Sequence, residues 1–181
     1  NYHHAIAYYE IALEIFIKTH KELLEAIALY KIGNCKFSLD MIDESYQYHL
    51  QSLKIRNKIN DRTGLAESYN QIGKFYLENG QYQKAINNLK LGLANAEMVN
   101  SNILMQQSFD YLYQAYFEMD DFRKAVFYQD KYTSISELIY GEADQRKIQE
   151  LNTQLQIEQR EHRIKDLEEK AKQKEKDLAS S

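Results

Sequence analysis

A forty-residue internal repeat is the feature of this sequence that most constrains its fold. A small residue recurs at that spacing, at Ala5, Ser45, Ala85 and Ala125. In the same register, large residues recur three positions earlier, at Tyr2, Ile42, Tyr82 and Phe122. Sequences with periods of this length form arrays in which each unit buries its apolar face against its neighbours. The chain is therefore predicted to be an array of similar units.

The scarcity of turn-forming residues predicts that each unit is helical. The 181 residues include six glycines and no proline, too few for the frequent turns of an all-β sandwich or barrel. Asp40, Gly80 and Asp120 recur at the repeat spacing, and residues of these types suit the tight turn that follows many helices. Each unit is thus predicted to be a helical hairpin.

The second full unit carries the landmarks of a known repeat family in order. They are Tyr69, Ile72-Gly73, Tyr76, Gly80-Gln81-Tyr82 and Ala85. This pattern resembles the tetratricopeptide repeat, in a variant with a forty-residue period. Small residues such as Gly73 and Ala85 allow the two helices of a hairpin to approach closely. The resemblance implies an all-α fold, a right-handed α-α superhelix of about three and a half hairpins followed by one long helix.

The repeat register divides the chain into an array, residues 1–140, and a terminal helix. We expect the second helix of a truncated repeat in 1–25 and full repeats in 26–65, 66–105 and 106–140. An unpaired leading helix would expose an apolar face, so further repeats are expected before residue 1. Tyr113 replaces the glycine of the third repeat, and this repeat is therefore expected to be slightly splayed.

Residues 141–181 are predicted to form a charged connector helix. Nineteen of the residues 142–178 are charged, and none is glycine, proline or aromatic. Its sparse apolar residues are Ile148, Leu151, Leu155, Ile157, Ile164, Leu167, Ala171 and Leu178. A discontinuous coiled coil that forms a homodimer through 142–178 and a solvated single helix both fit this pattern.

No catalytic residue, metal site or cofactor is predicted. The five histidines show no recognised metal-ligand spacing. His49 takes the position that Leu89 holds one repeat later, so it is expected to be a buried core residue. Cys35, the single cysteine, has no histidine placed by the sequence to activate it. The protein is therefore expected to be non-catalytic.

The charge balance argues against two classes of partner. A formal net charge of −4 gives no basic face for nucleic acid and no polybasic patch for a membrane surface. No apolar run approaches the length of a membrane span. We expect these residues to contact neither nucleic acid nor membrane.

The family resemblance implies a binding groove lined by the first helix of each repeat. Carried onto this sequence, its contact positions give Tyr30, Asn34, Phe37, Asn70, Lys74, Asp110, Gln114 and Phe117. The same positions include Ile27, Ser38, Glu67, Leu77, Glu78, Gln107 and Glu118. Amide side chains such as Asn34, Asn70 and Gln114 can donate to and accept from a peptide backbone, and the aromatic residues offer pockets. A protein or peptide partner is expected in this groove.

Three functions fit this sequence. The order of array and charged helix resembles the sensory half of bacterial signalling proteins, whose connector leads to a histidine kinase, nucleotide cyclase or DNA-binding output. This resemblance implies a location in the bacterial cytoplasm or periplasm and a full-length protein that can be membrane-anchored. The alternative is a free-standing adaptor or co-chaperone, in which the last helix folds back as a cap. The third is a regulator similar to the Rap-type aspartyl-phosphate phosphatases, whose N-terminal helical bundle is not found in these residues.

Overall fold

The described part of the protein consists of α-helices joined by short turns. The computed structural model describes the backbone of residues 1–179 and, within the last helix, the side chains of 122–141, 144–151, 153, 154, 157 and 165. The helices are α1 (Tyr2–Lys18), α2 (Glu22–Ser38), α3 (Ile42–Lys58), α4 (Arg62–Glu78), α5 (Tyr82–Met98), α6 (Asn102–Glu118) and α7 (Phe122–Ala179). The expected all-α fold of repeated hairpins is confirmed.

The same turn ends each helix from α1 to α6. In the turn after α2, the Asp40 amide donates to the Phe37 carbonyl at 3.0 Å and the Met41 amide donates to the Lys36 carbonyl at 3.0 Å. This is a Schellman motif, which satisfies carbonyls that a helix end leaves unpaired and needs one residue with positive φ. That residue is His20, Asp40, Asn60, Gly80, Asn100 or Asp120, with φ between 50 and 68°.

The hairpins begin earlier in the chain than the family landmarks indicate. The predicted repeat starts at 26, 66 and 106 lie inside α2, α4 and α6, which begin at Glu22, Arg62 and Asn102. The polar stretch 60–64, which joins the first full hairpin to the second, contains the start of α4. Within it the Asp61 carboxylate accepts a hydrogen bond from the Gly64 amide at 3.0 Å, which caps α4.

Glycine sets the closest approach within the first two hairpins. A Cβ added to Gly73 would lie 2.5 Å from Cγ of Leu89, so only a hydrogen atom fits between α4 and α5 there. Gly33 stands in the same relation to His49. In the third hairpin the equivalent pair is Tyr113 and Gln129, and Gln129 is exposed. That hairpin therefore lacks the close contact that the other two share.

The first helix carries the exposed apolar face that was expected of it. Ile11 is 60% exposed and Ile15 is 52% exposed. On α2 beside it, Leu24 is 41% exposed, whereas Leu104, which holds the equivalent position two repeats later, is 7% exposed. The difference arises because Leu104 packs against Ala66 and Ala96 of the preceding hairpin.

The chain divides into two compact units, Asn1–Ser136 and Glu137–Ser181. The first unit holds α1 to α6 and the beginning of α7, including Ala125, which packs into the core around Leu89 and Leu112. The second unit holds the rest of α7. Of the predicted apolar stripe, Ile148, Leu151 and Ile157 are described, and the side chains of Leu155, Ile164, Leu167, Ala171 and Leu178 lie outside the described residues.

Candidate functional site

The first helices of the three hairpins carry all the predicted binding residues. Helix α2 holds Tyr30, Asn34 and Phe37, α4 holds Asn70 and Lys74, and α6 holds Asp110, Gln114 and Phe117. Most of these side chains are half-buried, and Phe117 is 49% exposed. Helices α4 and α6 contact each other directly, so their side chains can form one surface.

Asn70 is a core residue, which corrects its predicted role in the groove. Its side chain is fully buried. The amide nitrogen donates to the Leu104 carbonyl at 3.2 Å, and the amide oxygen accepts from the Ser108 hydroxyl at 2.8 Å. Both partners belong to α6, so the Asn70 amide joins α4 to α6 and cannot reach a peptide. The position of Asn70 on α4 faces the neighbouring helix, which supplies both hydrogen bonds.

A cavity of about 340 Å³ lies where α4, α5 and α6 meet. We call it the tyrosine cavity. Its lining residues are Lys74, Leu77, Glu78, Tyr82, Tyr111, Tyr113, Gln114, Phe117 and Glu118. Of the eight predicted binding residues it therefore brings together Lys74, Gln114 and Phe117 and does not include the other five. Leu77, Glu78 and Glu118, which hold further contact positions of the family, also line it.

Hydrogen bonds and charges order the lining of the tyrosine cavity. The Lys74 ammonium lies 3.8 Å from a Glu78 carboxylate oxygen and 4.0 Å from the centroid of the Phe37 ring. Across the cavity, the Tyr82 hydroxyl donates to the Glu118 carboxylate at 3.4 Å. Lys74 thus links Phe37 of α2 to the cavity through a cation–π contact.

The environment of the cavity disfavours additional negative charge. Burial raises the pKa of Glu78, and the nearby Asp40 carboxylate adds to this effect while Lys74 opposes it. Burial also raises the pKa of Tyr111 to about 12, with further contributions from the Asp110 and Glu78 carboxylates. The Tyr111 phenol is therefore neutral at physiological pH and keeps its hydroxyl hydrogen as a donor.

Three tyrosines of the cavity were not predicted as binding residues. Tyr82 was identified only as a recurring large residue and a landmark of the repeat. Tyr113 was noticed as a departure from the family glycine, and its ring now lines the cavity beside Tyr111. A bulky residue where the family has glycine is the sequence signal that could have located this site.

A second cavity of about 270 Å³ lies beside Tyr30, between α2, α3 and α4. Its floor contains Arg56, which is 1% exposed. The guanidinium donates to the Gly64 carbonyl and to the Glu67 carboxylate, the latter at 2.9 Å, and lies 4.8 Å from the centroid of the Tyr30 ring. Tyr30, which is 9% exposed, thus contributes mainly to packing. Arg56 was not predicted as a functional or core residue. The sequence signal for it is a charged side chain at a position where the next two repeats have small residues, Ala96 and Ser136.

Other chemistry is limited within the part of the chain that the structure describes. Cys35 is a free, half-buried thiol. No group of three histidine, cysteine, aspartate or glutamate side chains among the described residues is arranged to hold a metal ion. None of the helices, where described, has the length and apolar character that crossing a membrane would need.

Comparison with known proteins finds a repeat family that matches part of the chain. Residues 24–98 match the family model described as tetratricopeptide repeat. A crystal structure of BtubC (BKLC) from P. vanneervenii is similar at 20% identity and a TM-score of 0.65, over 75% of this chain and 57% of that one. The apo form of RapI is similar at 20% identity and a TM-score of 0.69, over 75% of this chain and 39% of that one.

These likenesses concern the fold. At 20% identity they show shared architecture and carry no statement about ligand or activity. The matched region spans about half the length of the first structure and less of the second. No curated protein matches the chain.

Proposed function

We propose, on the premise that residues 24–98 are tetratricopeptide repeats, that the face formed by α2, α4 and α6 binds an extended peptide segment of a protein partner. Repeats of this family are non-catalytic and generally mediate protein–protein interaction. The observation that carries the proposal is the tyrosine cavity, where rings and polar groups from successive hairpins converge on one opening.

The chemistry of this face suits a peptide. Half-buried Asn34 and Gln114 each offer an amide donor and an acceptor to a peptide backbone. Phe117 lines the cavity and is 49% exposed. Its ring can therefore pack against an apolar or aromatic side chain of the peptide. Hydrogen bonds to the main chain give affinity for an extended segment, and pockets for its side chains give specificity.

Phe117→Ala is expected to weaken peptide binding by at least about tenfold, the effect of losing a central aromatic anchor. The probe is a fluorescent twelve-residue peptide selected from a random displayed library on the unaltered protein, and affinity is measured by anisotropy. Phe127→Ala is the matched control, because Phe127 is 54% exposed on α7 and does not line the cavity. Equal losses in both variants, or no peptide recovered, would contradict the proposal.

We further propose that these repeats are the sensory or regulatory part of a larger bacterial signalling protein. The support is α7, a helix of 58 residues that begins in the last hairpin and includes the whole described connector. If the array has two curvatures and the peptide binds one of them better, binding increases the population of that curvature. We expect this shift to alter how α7 pairs with a second copy. The array and the connector are two segments with separate roles in this proposal.

Dimerisation through the connector is the testable part of this proposal. Ile148 is 59% exposed and Leu151 is 56% exposed, and burying such side chains against a second copy is favourable. The protein is expected to sediment as a dimer at tens of micromolar. Ile148→Glu/Leu151→Glu is expected to make it a monomer, because charges at a helix seam oppose association.

The control for charge alone is Gln145→Glu/Gln149→Glu. Both glutamines are exposed on the same helix, so this variant adds the same two charges and is expected to remain a dimer. A monomeric parent protein at the same concentration would contradict coupling through the connector and leave the free-standing adaptor or co-chaperone as the function.

A further inference from the structure

The tyrosine cavity presents aromatic surface to solvent. Tyr82, Tyr111, Tyr113 and Phe117 all line it, with the ring centroids of Tyr113 and Phe117 6.0 Å apart and their planes at 49°. The faces of aromatic rings carry partial negative charge and attract cations that lie within about 6 Å of the centroid. Four rings around one opening can therefore receive a cationic group.

Carboxylates outnumber basic groups in the same cavity. Glu78 and Glu118 line it together with one lysine, Lys74. Lys74 is already engaged by Glu78 at 3.8 Å and by the Phe37 ring at 4.0 Å. Among the described residues, no lysine or arginine forms an ion pair with Glu118, whose hydrogen-bond partner is the Tyr82 hydroxyl at 3.4 Å. The Glu118 carboxylate is thus available to an incoming cation.

We infer that the tyrosine cavity receives an arginine or lysine side chain of the bound peptide, with the charged group between Glu118 and the ring of Phe117. The inference rests on the proposed function, since the basic side chain belongs to the peptide. Arginine is favoured over lysine because its planar guanidinium can stack on a ring while it donates two hydrogen bonds to one carboxylate. A peptide carboxylate is disfavoured, because it would face both Glu78 and Glu118.

The first test compares peptides that differ only at the central residue, whose side chain is expected to enter the tyrosine cavity. The probes are five fluorescent heptapeptide pools with arginine, lysine, glutamine, glutamate or phenylalanine at the centre and three randomised positions on each side. The arginine pool is expected to bind at least about tenfold more tightly than the glutamine pool. The glutamate pool is expected to bind most weakly. The arginine preference is expected to shrink at about 0.5 M salt, since salt screens a partly exposed ion pair.

The second test changes the carboxylate. Glu118→Gln is expected to reduce binding of the arginine pool by about tenfold and to leave the glutamine pool unchanged. Glu97→Gln is the matched control, because Glu97 is an exposed carboxylate on α5 away from the cavity. Far-ultraviolet circular dichroism checks that both variants keep their helices.

The outcomes separate the inference from the proposed function. Equal binding of all five pools, or an arginine preference that survives Glu118→Gln, would overturn the cation site while the peptide-binding face stands. Binding by none of the pools, and by none of the displayed peptides, would overturn both. An arginine preference that is lost only with Glu118→Gln would establish the site.

Discussion

Arg56→Ala is expected to lower the free energy of unfolding by about 2–4 kcal/mol, because it empties a buried site and removes hydrogen bonds from a buried charged group to partly buried acceptors. Arg56 is 1% exposed. Its guanidinium bridges two helices by donating to the Glu67 carboxylate at 2.9 Å and to the Ser68 hydroxyl at 3.3 Å. Alanine would leave a cavity beneath Tyr30 and a carboxylate without its cation.

Two further variants separate charge from packing at this position. Arg56→Met keeps most of the buried volume. With Glu67→Gln in the same chain, the free energy of unfolding is expected to lie within about 1 kcal/mol of the parent value, because the introduced glutamine is uncharged and no longer needs the cation that the introduced methionine lacks. Lys58→Ala is the matched control. Lys58 lies on the same helix and pairs with Glu22 at an exposed site, so its loss is expected to destabilise the protein far less than the loss of Arg56.

The measurement is urea unfolding followed by circular dichroism at neutral pH. A loss below about 1 kcal/mol for Arg56→Ala would show that water replaces the guanidinium in this cavity, and that the buried network does not stabilise the array. A loss in the Met/Gln double variant as large as that in the alanine variant would show that the charge itself stabilises the fold.

The hairpin architecture could be predicted because its causes recur in the sequence. Glycine at Gly33 and Gly73 and turn residues at Asp40, Gly80 and Asp120 mark the close contacts and the loops. The turns at His20, Asn60 and Asn100, which join one hairpin to the next, have the same backbone geometry as the turns within the hairpins. Their residue types vary, and the polar residues around them resemble a linker, so the equivalence of all six turns was visible only in the backbone.

The candidate site was less predictable because exposure depends on what the neighbouring helix supplies. Lys74, Gln114 and Phe117 line the tyrosine cavity as members of the predicted set. Asn70 occupies an equally polar position, yet Ser108 and Leu104 of α6 bury it and satisfy its amide. The position of a residue along its own helix does not show which groups of the neighbouring helix will bond to it. Most connector side chains from residue 152 onward lie outside the described residues, so the predicted coiled coil stays a prediction.

His49 is expected to make the stability of the array depend on pH between about 6.5 and 4. It is 2% exposed, and neither ring nitrogen has a hydrogen-bond partner. Burial, together with the charge of Arg56, lowers the pKa of His49 to about 4 from its ordinary 6.5. The folded protein therefore holds this imidazole neutral above about pH 4, next to Gly33 and in a T-shaped contact with Tyr30, with the two ring centroids 5.3 Å apart.

The direction of the effect follows from proton binding. In the unfolded chain the imidazole protonates near pH 6.5, whereas in the folded protein it protonates only near pH 4. The unfolded state binds more protons within that window, so the free energy of unfolding falls as the pH falls through it. The stabilisation is complete above pH 6.5, and about 3 kcal/mol of it is lost by pH 4.

His49→Leu isolates this contribution, because Leu89 fills the equivalent position beside Gly73 in the next repeat. The variant is expected to gain about 1 kcal/mol at pH 7, since it removes two buried nitrogens without partners. Carboxylates also titrate below pH 5, so the quantity to measure is the difference between parent and variant in urea unfolding at pH 7, 6, 5 and 4. That difference should widen towards acid pH. His4→Gln, at an exposed position on α1, should follow the parent protein at every pH. A constant difference for His49→Leu would mean that His49 gains a proton while folded, through water that reaches its ring.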